Sequence, residues 1–240
     1  MILPLSKNVI KYYYQFTFKD GRQFSFTLYL SNKKLKQIRP PAENTEKPEW
    51  TRLTFYQCQI CPLDKVVHPY CPLAESLREV IETFKNTPSF EEVEVLVKPP
   101  EREMYSKLPI QKALSSLLGI YMTTSTCPVM EKFAPMSRFH LPFATTEETI
   151  YRSLSDYLLA QYFVSREGKN PDWELKNLKK LYQEMEQVNS TFCQRLQHIS
   201  SKDANVNALV ILDFFAKNFT HSIDQAIDSI KHFFQAYLND

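Results

Sequence analysis

The sequence predicts an α+β fold, and three observations carry that prediction. Apolar and aromatic residues alternate with polar ones over residues 12–30 and again over 93–97, the period-two pattern of half-buried strands. From Pro109 onward the apolar residues recur every three or four positions, the pattern of helices packed on one face. Strands gathered first and helices afterwards favour an antiparallel sheet followed by an antiparallel helical bundle, rather than alternating βαβ units. The chain thus divides into a sheet-containing part with a cysteine-rich loop, residues 1–108, and a helical part, residues 109–240, joined as one unit.

Tyr12, Tyr14, Phe16 and Phe18 form the inward face of a first strand, and Phe24, Phe26, Leu28 and Leu30 that of a second. Asp20-Gly21 between them predicts a type I′ hairpin, whose central residues both need positive φ. The basic group Lys33, Lys34, Lys36 and Arg39 reads as a solvated element end, followed by a loop containing Pro40, Pro41 and Pro48. Trp50 to Gln57 reads as a third strand leading into the cysteine loop. Leu73, Leu77, Val80, Ile81 and Phe84 share one helical face, with Pro72 at the first position, where its missing N–H costs nothing. Val93, Val95 and Val97 mark a fourth strand, and residues 103–107 are placed to pair beside it. In the second half, Ile110 to Tyr121 gives one helix, and Thr145 with Glu148 makes a capping box for the next. Asn170-Pro171 reads as the cap of a long helix running to Ile199, and two helices or one kinked helix close the chain.

Composition removes several functions. A net charge of +2, with 29 Lys and Arg against 27 Asp and Glu, is too small to neutralise phosphates, which argues against a nucleic-acid partner. Gly21, Gly119 and Gly168, the three glycines, are far apart, so P-loop and dinucleotide fingerprints are absent. No G-x-S-x-G, H-E-x-x-H or E-x-x-H occurs, which removes serine-hydrolase, zincin and ferritin-like chemistry. The N-terminus has neither a long apolar stretch nor a small-residue cleavage site, and no apolar run is long enough to cross a bilayer. With five cysteines and no leader, the expected compartment is the reducing cytoplasm, where the sequons at Asn189 and Asn218 have no use.

The segment Cys58–Cys71, CQICPLDKVVHPYC, is the strongest candidate site. Its C-x2-C-x6-H-x2-C spacing suits a tetrahedral metal, with Cys58, Cys61 and Cys71 as thiolate ligands. The fourth ligand is either His68, within the same loop, or Cys127, from the helical half; loop-closure entropy does not separate them. Cys61, Cys71 and Cys127 are each followed by proline, and that shared context favours Cys127, with His68 as the alternative. Cys71-Pro72 also places a sulfur at a helix cap, where the dipole stabilises a thiolate. Zinc in a structural role is the expected cofactor, with an iron–sulfur cluster as the alternative. Cys193, inside a helix, reads as a small buried apolar residue. On these residues the chain is expected to act as a metal-binding module for a protein partner or in regulation, the alternative being a thiol-redox sensor or oxidoreductase.

A second candidate is the segment Met136–His140, where Arg138 and His140 lie among prolines and aromatics and a ligand pocket could form. A packed loop with a hydrogen-bonded histidine is the simpler reading. Glu147, Glu148 and Arg152 read as capping and surface charges.

Three segments, QCQICPLDKVVHPYCPLA, TCPVMEKFAPMSRFHLPFA and ETIYRSLSDYLLAQYF, are distinctive. On them the chain resembles members of an uncharacterised bacterial family over most of residues 10–235, and the resemblance implies no reaction.

Overall fold

In the computed structural model, residues 8–39 and 46–239 are described; the start of the N-terminal segment and the Pro40–Pro41 part of the proline loop lie outside them. Strand β1 (Val9–Phe18) buries Ile10, Tyr12, Tyr14, Phe16 and Phe18 on one face, and β2 (Gln23–Ser31) buries Phe26, Leu28 and Leu30 beside it. Gly21 alone takes the left-handed conformation, at φ 88°, and its N–H donates to the Phe18 carbonyl at 3.1 Å. Asp20 keeps negative φ, so the connection is a longer turn closed by one left-handed glycine rather than a type I′ hairpin.

Helix α1 (Pro72–Phe84), β3 (Glu92–Lys98) and β4 (Met104–Pro109) complete the first half. The sheet is antiparallel throughout in the order β2-β1-β3-β4. Phe84, at the end of α1, packs into the sheet with its ring centroid 5.3–6.4 Å from those of Phe16, Phe18, Phe24 and Phe26.

Residues 50–57 do not form the strand that their composition predicts. Glu49–Thr51 is one turn of 3-10 helix, Tyr56 has φ 53°, and only Arg52 bridges to Tyr70. Cys71 N–H donates to the Thr51 carbonyl and Leu53 N–H to the Pro69 carbonyl, so the segment is tied to the chain entering α1. The Trp50, Arg52 and Tyr56 carbonyls accept from the side chain of Arg195, described below.

The helical half comprises α2 (Ile110–Thr124), a 3-10 turn at Met130–Phe133 running into the short α3 (Ala134–Arg138), α4 (Thr146–Arg166), α5 (Lys176–Gln197), α6 (Ala204–His221), α7 (Ile223–Lys231) and α8 (Gln235–Leu238). The Thr145–Glu148 capping box is formed in both directions. α5 starts later than Asn170-Pro171 predicts, because the Asp172 carboxylate accepts the N–H groups of Lys176 (3.2 Å) and Asn177 (2.7 Å) and moves the cap downstream. No helix among the described residues is long and apolar enough to cross a membrane.

Two apolar clusters organise the interior. The larger joins the sheet, α1 and α2 to Val188, Phe192 and Leu196 of α5 and Ala204, Ala208 and Leu209 of α6. The smaller gathers Phe133, Ile150, Leu154, Leu178, Tyr182 and Phe219.

Candidate functional site

Cys58, Cys61, Cys71 and Cys127 face one small cavity of about 20 Å³, which Arg195 also lines. His68 is elsewhere, exposed in the loop with its N–H on the Asp64 carbonyl at 2.8 Å. Convergence is not ligation. Among the described residues no three His, Cys, Asp or Glu side chains are placed to hold one metal ion, and all five cysteines are free. The reading of this chain as a metal-binding module built on a cysteine cluster is therefore overturned, and neither zinc nor iron is assigned to these residues.

The physical reason is the guanidinium among the thiols. Arg195 is 1% exposed and donates through Nη1 to the Trp50 and Arg52 carbonyls (2.9 Å to the latter) and through Nη2 to the Tyr56 carbonyl at 3.0 Å. It stands in for the missing strand partner of residues 50–57 and sets a positive charge beside Cys58, Cys61 and Cys71. Burial pushes the Cys58 thiol up to about 12, helped by the neighbouring thiols of Cys71, Cys127 and Cys61. Burial also raises Cys71 and Cys127. At Cys71, which is the N-cap of α1, it outweighs Arg195 and the backbone N–H groups of Leu73 and Ala74, so the expected capped thiolate does not form. Burial thus favours the protonated forms of Cys58, Cys71 and Cys127, and a metal would have to displace those protons. The signal in the sequence is Arg195 itself, a charge one position from Leu196 inside the apolar stripe of α5.

A second site lies where the two apolar clusters meet. Residues from α2, α3, α4, α5, α6 and the 139–144 loop enclose a pocket of about 190 Å³. Four methionines line it: Met122, Met130, Met136 and Met185. Its polar wall comprises His140, Arg152, Asn189, Ser137 and Thr123, the last two bonded to each other at 2.5 Å. The Tyr12 hydroxyl, buried under the sheet, donates to the Ser137 (2.7 Å) and Arg138 (2.8 Å) carbonyls and so anchors this loop to β1.

His140 is hydrogen-bonded through Nε2 to the Tyr14 hydroxyl, and its pKa is pushed down to about 3 by burial, with the Arg152 charge adding to the effect. It is neutral at physiological pH. Burial likewise raises Tyr14 well above the ordinary phenol value, so this pair is uncharged. Arg138, its sequence neighbour, turns outward to an ion pair with Glu101 at 2.8 Å. Arg152 is half-buried, and its Nη2 donates to the Met136 (2.7 Å) and Phe139 (3.1 Å) carbonyls. It is a pocket residue rather than a surface charge. Asn189 is 1% exposed, and neither its amide nitrogen nor its oxygen has a hydrogen-bond partner among the described residues. The sequence marks Asn189 only as a sequon, although its spacing, four after Met185 and three before Phe192, puts it in the apolar stripe of α5. Arg152 carries no comparable mark.

Tyr182, bonded to Ser153 at 2.6 Å, separates this pocket from a second depression that includes Asp156, Tyr157 and Gln161.

No curated protein and no solved structure matched this chain. Residues 12–235, nearly its whole length, match a domain of unknown function, and the chain belongs to that family, DUF6901.

Proposed function

We propose that this chain binds a small, largely apolar molecule in the pocket between α2, α3, α4, α5 and α6. The observation that carries the reading is Asn189. A buried amide with both polar atoms unbonded costs stability, and such groups are retained where something else satisfies them. Asn189 borders an apolar-lined cavity, its amide covered just behind the surface, and the cavity's other polar groups converge from separate elements, the usual construction of a small-molecule site. The methionine lining supports it further, because thioether side chains adapt their shape to an occupant. At about 190 Å³ the space falls below the roughly 300–1,000 Å³ of drug-sized sites, so the occupant is compact.

Replacing Asn189 by the near-isosteric Leu tests this. Removing an orphaned amide relieves a desolvation penalty of about 1–3 kcal/mol, so Asn189→Leu is expected to unfold at higher urea than the wild type while losing ligand binding. A variant less stable than wild type would mean that the protein itself satisfies the amide, and the case for the pocket would collapse.

A further inference from the structure

We propose that the molecule this pocket accepts is a compact monocarboxylic acid, its carboxylate held by Arg152 and its short apolar body among the methionines. The inference rests on the pocket reading above and adds the chemical class of the occupant.

Arg152 uses one arm of its guanidinium, Nη2, on two backbone carbonyls. Its Nε and Nη1 donors make no hydrogen bond to the described residues, and no carboxylate among them lies within ion-pair distance. The carboxylates nearest in sequence are otherwise placed. Glu148 accepts from the Thr145 N–H at 2.7 Å in the capping box, and Asp156 lines the neighbouring depression. Partial burial depresses the Arg152 pKa, the mark of a cation stripped of water and not fully repaid by its neighbours. Nη2 belongs to both bidentate faces of the guanidinium and is committed to the two carbonyls, so a carboxylate is held through one charge-assisted hydrogen bond from Nε or Nη1.

Charge count then selects among anions. His140 is the other titratable nitrogen on the wall, and with a pKa near 3 it stays neutral, so the lining presents one positive charge, Arg152, on which Asp156 and Glu148 act from beyond ion-pair distance. Tyr12, Tyr14 and Tyr182, the phenols around this wall, are all raised by burial and remain protonated. One cation balances a carboxylate; a phosphate dianion would leave a negative charge buried against apolar walls.

Hexanoate, hexan-1-ol and hexyl phosphate share one apolar body and differ in the charge of the head. Each would be titrated into full-length protein labelled with ¹³C at the methionine methyls, following Met122, Met130, Met136 and Met185, with the wild type beside Arg152→Gln and Arg152→Met. Gln keeps N–H donors for the two carbonyls without the charge, and the free-protein spectrum reports whether each variant is folded. Hexanoate is expected to shift the pocket methyls at a concentration roughly tenfold or more below hexan-1-ol, the worth of a charge-assisted hydrogen bond. Hexyl phosphate is expected to bind no better than hexanoate. Both variants should lose the preference for the acid while keeping the alcohol. Equal binding of acid and alcohol by the wild type, or tighter binding of the phosphate, overturns the carboxylate assignment and leaves the pocket standing. If no probe moves any of these methyls, the pocket reading falls with it.

Discussion

Replacing Arg195 by Met removes the side chain that ties α5 to three backbone carbonyls of the segment 50–57. Three carbonyls, of Trp50, Arg52 and Tyr56, lose their donors. A buried acceptor left unpaired costs about 1–3 kcal/mol, but only the Trp50 bond is fully buried, and water can partly replace the others. Against this stands relief from burying a guanidinium without a carboxylate partner, which Met, similar in length, does not incur. The balance is a loss of about 2–4 kcal/mol. With a urea slope of about 2–3 kcal/mol per molar for a chain this size, the unfolding midpoint should fall by roughly 1 M. Arg195→Lys, which keeps the charge but cannot reach three carbonyls from one ammonium, should fall between the variant and the wild type. Equilibrium urea unfolding followed by circular dichroism measures all three proteins. A midpoint for Arg195→Met within about 0.2 M of the wild type would refute the reasoning, because the carbonyls would then be satisfied without the arginine.

Phe84→Ala should cost about 3–5 kcal/mol, since the ring is fully buried among Phe16, Phe18, Phe24 and Phe26; thermal unfolding would show it, and a loss under about 1 kcal/mol would contradict this packing. His140 makes the fold acid-sensitive. Folded, it stays neutral down to about pH 3, whereas the unfolded chain takes up the proton near pH 6.5, so its contribution is complete above about 6.5 and declines as the pH falls towards 3. The slope is at most about 1.4 kcal/mol per pH unit, and His140→Gln should flatten it in urea titrations between about pH 7 and 4. Cys58 and Cys193, held at about 12 and about 11, should react with iodoacetamide at about pH 8 far more slowly in the folded protein than in urea; rapid labelling of Cys58 in the native state, read by peptide mass spectrometry, would contradict its burial.

Local patterns revealed most of the secondary structure because they depend on neighbours two to four residues away. The alternation in β1 and β2, the stripe of α1 from Leu73 to Phe84 and the Thr145–Glu148 box are each complete within a short segment, and the structure forms all of them. Asp20-Gly21 marked the turn but not its type, since a single left-handed glycine closes it. Where local pattern failed, a distant group had intervened. Residues 50–57 have a strand's composition, but three of their carbonyls are taken by Arg195, more than a hundred positions later. Cys-Pro repetition suggested ligands, and the cysteines do converge, but spacing says nothing of an arginine arriving among them.

The sequence by itself determined an antiparallel sheet followed by helices, which helical faces turn inward, and the absence of the glycine-rich and hydrolase motifs. Periodicity is a property of the chain alone, because burial of one face requires only that apolar groups share it. Tertiary structure decided what the buried polar residues do. Whether a cysteine is a ligand or a protonated thiol, and whether Arg152 and Asn189 are surface decoration or the wall of a pocket, depends on desolvation and on partners from other helices. Those energies are set by the few ångströms between elements that meet only in the folded state.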